Sequence, residues 1–90
     1  MDLMTLNFPN QSRSYDAARH CIRFWGHDGA REISFLVEED ALCRLSPDTD
    51  RHEAGLLGAF DHNRDRILRA ATKVYSKRGA GFFNLAASDF

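Results

Sequence analysis

Four histidines (His20, His27, His52, His62) and two cysteines (Cys21, Cys43) are the residues with the widest chemical range in these 90 positions. A metal site carried on local structure needs paired short Cys or His spacings, and no histidine here stands three or four residues from another. No metal ligand set is therefore expected. The cysteines, 22 positions apart, have neither zinc spacing nor the density of a disulfide scaffold, so both read as free thiols. Cys21 would be reactive only if exposed beside a cation, and Arg23, two residues on along the same strand face, makes that conceivable. Serine catalysis lacks its Gly-x-Ser-x-Gly elbow. The acids Glu38-Glu39-Asp40 point in different helical directions, which suits a helix dipole better than a paired acid and base. His27-Asp28 falls at a hairpin tip, where turn chemistry explains it. Gly79-Ala80-Gly81 follows a helix instead of opening one, so it cannot cradle phosphate at a helix N-terminus. No catalytic residue and no cofactor is expected.

Charge makes a more specific pattern. Residues 64–78 hold six cations against one acid, although the whole chain is at -1. At 100° per residue, Arg66, Arg69, Lys73 and Lys77 fall within about 80° of arc, opposite the apolar stripe. Such a basic ridge could take phosphates or an acidic protein; it could equally be a solvated face with an Asp65–Arg69 pair. Arg64 differs, because its angle places it inside the apolar stripe between Phe60 and Ile67. A structural ion pair with a carboxylate from another element, outside Arg64's own helical turn, is expected there, the alternatives being a guanidinium that snorkels to water or an anion pocket.

The elements that position these residues follow from periodicity. Apolar and polar residues alternate from Arg19 to Val37 on both sides of His27-Asp28-Gly29-Ala30, which predicts a hairpin. With Asp28-Gly29 as the central pair, Phe24 faces Ile33, Ile22 faces Phe35 and His20 faces Val37. The other face then opposes Trp25 to Glu32, Arg23 to Ser34 and Cys21 to Leu36. Cys21, Arg23, Trp25, Glu32 and Leu36 are too apolar together for a face left in water, and they form the candidate partner-binding surface. Covering by the chain's own N-terminal segment or by its tail is the competing explanation.

Leu3 to Phe8 predicts a first strand ended by Pro9, Asn10 to Ser14 a loop, and Tyr15-Asp16 a bend. Glu38-Glu39-Asp40 open a short helix. After Ser46-Pro47, Asp50 and Glu53 resemble a capping box. Leu56, Leu57, Phe60, Ile67, Leu68, Ala71, Val74 and Tyr75 then trace one stripe on a helix of about seven turns, with Gly79 as its C′ residue. Phe82 to Ala87 reads as a last strand with Phe83 and Leu85 on one face.

The expected fold class is α+β, a single domain over residues 1–90: an antiparallel sheet with two helices on one face, in the order strand, strand, strand, helix, helix, strand. Twelve Lys and Arg against thirteen Asp and Glu select no charge class, and 43% apolar residues suffice for one modest core. Residues 1–10 lack a basic flank with a long apolar run, and nowhere do about 18 apolar residues run together, so a cytoplasmic protein away from membranes is expected.

Further residues carry a family resemblance. The runs Asn7-Phe8-Pro9-Asn10, Arg13-Ser14-Tyr15-Asp16 and Ile22 to Asp28 resemble the bacterial family known as domain of unknown function 1488. The likeness continues through Ile33-Ser34-Phe35, Glu38 to Leu42, Ala59-Phe60-Asp61 with Asn63-Arg64, and Ala87-Ser88-Asp89-Phe90. It implies a small α+β domain with two helices on an antiparallel sheet. It implies no activity, cofactor or catalytic residue. The functional expectation is thus a non-enzymatic binding or assembly module, a homo-oligomer formed through the outer sheet face, with no small-molecule substrate. A nucleic-acid or acidic-protein binder using the basic ridge is the alternative, and an unrecognised small enzyme the third.

Overall fold

The computed structural model describes residues 6–9, 11–78 and 82–90, the side chains of residues 77 and 78 excepted. At its centre is the hairpin, β3 (Cys21–Asp28) against β4 (Arg31–Glu38). Its turn differs from the one expected. Gly29 has φ +62° and Ala30 does not share the positive sign, so the loop is Gly29-Ala30 with glycine at the first central position, as a type II′ turn requires. Asp28 therefore stays in the ladder opposite Arg31, and every partner moves by two residues. Phe24 pairs with Phe35, Ile22 with Val37 and Gly26 with Ile33, in place of Phe24–Ile33 and Ile22–Phe35. Because a two-residue shift conserves parity, each side chain keeps its expected face even though its neighbour changes.

Two short strands share the free edge of β3: β1 (Leu6–Asn7) along its end, and β2 (Arg13–Asp16) along its beginning, both antiparallel. The expected bend at Tyr15-Asp16 is thus a strand, and the bend lies at residues 17–20, where Asp16 Oδ1 accepts the Arg19 amide at 3.2 Å. Leu3 to Thr5 of the expected first strand lie outside the described residues. On the far side β5 (Phe82–Leu85) runs parallel to β4, so the sheet is mixed, not antiparallel throughout. A parallel neighbour requires a long crossover. Here the three helices supply it.

Those helices are α1 (Glu39–Leu45), α2 (Glu53–His62) and α3 (Arg64–Arg78). Glu38 is the last residue of β4, so only Glu39 and Asp40 lie in the first turn of α1. The expected capping box does not form. His52 is the N-cap of α2, Asp50 Oδ1 accepts the His52 amide, and the Asp50 carbonyl lies so near Gly55 that a Cβ there would come within 2.3 Å. The single long helix is also interrupted, at Asn63. Its amide reaches the carbonyls of Ala59 and Phe60, its side chain donates to Ala59 O and Ser46 Oγ, and its carbonyl accepts from Ile67. An asparagine that satisfies its own polar groups locally can close one helix and open the next while buried. Gly79, the expected C′ residue, lies outside the described residues.

The core fills the space between the inner sheet face and these helices. Phe24, Phe35 and Phe83 form one row across three strands, with stacked rings 5.2 and 5.5 Å apart, and Phe60 tilts onto Phe24 at 5.2 Å. Leu56, Ile67, Ala71 and Tyr75 continue the helix side, while Leu57, Leu68 and Val74 are half-buried at its edge. Gly26 occupies an inner-face position where a Cβ would lie 2.7 Å from the Phe8 ring, so its missing side chain admits that ring. A closing 3₁₀ turn, Ala87–Asp89, ends the fold.

Candidate functional site

Strand alternation builds the outer sheet face from what the core leaves over. Trp25, Ser34 and Phe82 make one cross-strand row, with the smallest side chain between two aromatics; Arg23, Leu36 and Asn84 make the next. Glu32 lies nearer the hairpin tip than expected, because the shifted register pairs it with His27 and sets Trp25 against Ser34, Arg23 against Leu36 and Cys21 against Glu38. Phe82, 51% accessible, is the exposed large hydrophobic side chain of the described residues. Its side of the sheet follows from the Phe82-Phe83-Asn84-Leu85 alternation, which sends Phe83 and Leu85 inward.

Much of this face is neutralised internally. Arg23 lies 3.5 Å from Asp16, which also holds Arg19 at 3.9 Å, and Asn84 donates to Glu38. Cys21 and Leu36 are 1% and 5% accessible beneath these longer side chains. Burial, reinforced by Asp16, pushes the Cys21 thiol up despite Arg23 and Arg19, the opposite of what a reactive thiolate needs. Cys43 is free and half-buried.

Beside Cys21 opens a cleft of about 430 Å³ whose chemistry is set by Glu39. Its carboxylate, 12% accessible, accepts from the Tyr15 hydroxyl at 3.1 Å, meets His20 Nδ1 at 3.3 Å and Arg51 at 3.5 Å. Its amide donates to the carbonyl of His20, a residue held at φ +52° in the left-handed region. Each group faces another protein group, so Glu39 fastens α1 to β2, to the turn before β3 and to the approach to α2. Asp28 has a comparable task at the opposite end, accepting the Tyr75 hydroxyl from α3. Sequence patterning assigned both acids to helix-dipole or turn roles, since partners 24 and 47 residues away leave no local trace.

Arg64 is 19% accessible, with its guanidinium 4.9 Å from the centre of the Phe60 ring. It donates to the Gln11 carbonyl at 2.9 Å and lies 3.4 Å from Asp61, a carboxylate at the end of α2. Asp61 is also gripped by Arg13 through two hydrogen bonds, at 2.9 and 2.7 Å, which hold its carboxyl below the usual range. Arg66, Arg69 and Lys73 of the basic ridge are exposed and pair with no carboxylate among the described residues; the Asp65–Arg69 pair is not formed. The Lys77 side chain lies outside them. No three His, Cys, Asp or Glu among the described residues stand close enough to hold a metal ion, and no helix there is long and apolar enough to cross a membrane.

Residues 6–82 match a family described as Protein of unknown function (DUF1488). The fold is similar to the crystal structure of a protein of unknown function from the DUF1488 family of Shewanella loihica PV-4, with a TM-score of 0.83 over 94% of this chain and 96% of that one. At 17% identity this likeness establishes the fold alone. No curated protein matches the chain.

Proposed function

We propose that this chain, which belongs to the DUF1488 family of proteins of unknown function, is a non-catalytic binding and assembly module that pairs with a second copy through its outer sheet face. The observation that carries this reading is the row Trp25–Ser34–Phe82, in which an aromatic 51% exposed to water shares a helix-free face with a half-buried tryptophan. A two-fold axis is the simplest closed arrangement for covering such a patch, because one surface serves both partners. The face also carries both signs of charge, Arg23 on β3 and Glu32 on β4, so a second copy can complement it at the rim. The raised Cys21 thiol and the fully engaged Glu39 carboxylate favour binding over catalysis.

Sedimentation velocity from about 5 to 500 µM tests this directly. A dimer is expected, with Trp25→Glu and Phe82→Glu each giving a folded monomer. Its buried area should exceed about 1,000 Å². A wild-type chain that stays monomeric throughout, a dimer that survives both substitutions, or a dimer seen only after residues 1–5 are removed would each overturn the reading.

A further inference from the structure

Two grooves flank α3, sharing Arg69 and Lys73 as the crest between them. The larger, about 540 Å³, has Phe8 and Leu68 as its apolar floor, with Thr72 and Ser76 continuing it along the helix. The second, about 380 Å³, runs on the other side of the crest beside Arg66, Ala70, Asp89 and Phe90. From Asp65 to Ser76 the larger groove follows spacings of three and four, a stripe about 17 Å long. Its hydroxyls are satisfied within the helix, Thr72 donating to the Leu68 carbonyl at 2.9 Å and Ser76 to that of Lys73 at 3.0 Å. The floor therefore offers small residues and apolar surface with no open donor.

The rim is charged and unpaired. Arg13, Arg19, Arg23, Arg51 and Arg64 each have a carboxylate partner. Arg31 and Arg44 stand singly at separate places in the fold, whereas α3 gathers Arg66, Arg69 and Lys73 on one side, in excess over the acids that line the two grooves, Asp65 and Asp89, and in no ion pair with either among the described residues. Like charges close together repel, and an anionic partner relieves that repulsion.

The geometry points to the larger groove as the docking site for one amphipathic helix of about three turns from an acidic protein, its apolar residues against Phe8 and Leu68 and its carboxylates over Arg69 and Lys73. Asp65 at the groove's other end favours a cation on the partner there, which sets the direction in which the helix lies. A nucleic acid fits less well. The chain's net charge is -1, and the larger groove presents a single half-buried ring, Phe8, where a strand of bases calls for a series of stacking platforms.

Fluorescence anisotropy with a labelled 14-residue leucine–glutamate peptide of amphipathic helical pattern tests the assignment, with a scrambled peptide of the same composition and single-stranded RNA as competitors. Binding at about 1 to 50 µM is expected, weakened at least about tenfold by Arg69→Glu/Lys73→Glu and by Thr72→Phe, which fills the groove without changing charge. Circular dichroism confirms that each variant folds; if either does not, Arg69→Gln/Lys73→Gln replaces it and should weaken binding by at least about threefold. Equal affinity for the scrambled peptide, tighter binding of RNA, no binding up to about 1 mM, or binding that requires removal of residues 1–5 would each overturn the proposal.

Discussion

The two faces of the sheet are made from alternate residues of the same strands, yet they end in different physical states. On the inner face Ile22, Phe24, Ile33, Phe35, Val37, Phe83 and Leu85 are buried by helices contributed from later in the chain. On the outer face the covering is short-range and polar: Arg23 over Asp16, Asn84 to Glu38, with Trp25 half-buried and Phe82 exposed. Alternation thus decides which residues share a face, but only the crossover from β4 to β5 decides which face receives the helices. The outer face retains hydrophobic area and charge partners without a second layer among the described residues. Such a surface is suited to binding.

The largest expected difference tests that contrast at matched aromatics. Phe60→Ala should lower stability by about 3 to 5 kcal/mol, because it opens a cavity against Phe24. Phe82→Ala, measured by urea denaturation at low protein concentration, should change it by no more than about 0.5 kcal/mol. A comparable loss at both positions would mean that the outer face is as tightly covered as the inner.

What could be read from the sequence divides along the same physical line. Side-chain parity, the α3 stripe and the inward pair Phe83 and Leu85 are short-range periodic features, and they survive even a misplaced turn. The register itself was not legible, since Asp28-Gly29 and Gly29-Ala30 both supply a glycine and only the observed φ separates them. Asn63 hides in a polar position of the helix pattern, so its junction of α2 and α3 depends on Ser46, which periodicity cannot connect to it. Gly26 looks like a weak point in a strand until Phe8 is placed over it. On the candidate site, strand alternation and helical spacing picked out Trp25 and the basic ridge, whereas the degree of Phe82's exposure and the lack of ion pairs between the α3 cations and Asp65 or Asp89 depend on tertiary placement.

Glu39 provides the next largest effect. Glu39→Ala removes a carboxylate that receives Tyr15 and faces His20 and Arg51 at low accessibility, and should cost about 1.5 to 3 kcal/mol. Tyr15→Phe, which removes one of these bonds and leaves the acid in place, should cost about 0.5 to 1.5 kcal/mol. Thermal denaturation of both variants compares them. Equal losses would mean that Tyr15 alone carries the fastening, and that the cleft's other partners contribute little to joining the sheet to α1.

Asp61 distinguishes paired charge from mere surface charge. Arg13 first, with Arg64 contributing, depresses its folded pKa, so the unfolded chain takes up a proton at higher pH than the folded one. The resulting stability is present above the ordinary carboxylate range and is lost as the pH falls from about 4 through the folded pKa. With its side chain 47% accessible, solvent screening limits the gain to about 1 kcal/mol. Urea denaturation of wild type and Asp61→Asn between about pH 2 and 7 should show the variant losing less stability over the acid stretch. Parallel profiles would indicate that the Arg13 and Arg64 contacts carry no net electrostatic weight.

The smallest effect is expected where cations lack partners. Arg66→Gln, Arg69→Gln and Lys73→Gln each remove a charge without breaking an ion pair, so stability should change by less than about 0.5 kcal/mol. The sign is informative. Arg13→Gln removes an attractive contact with Asp61 and should destabilise most at low salt, whereas neutralising one α3 cation relieves repulsion from the other two and should be neutral or stabilising there. Raising the ionic strength to about 1 M shortens the Debye length to about 3 Å and should bring both kinds of variant towards wild type from opposite sides. Thermal denaturation at low and high salt reads this directly. If Arg69→Gln instead destabilises at low salt as Arg13→Gln does, an anionic group already balances the α3 face, and its cations are structural partners instead of an open surface for an acidic helix.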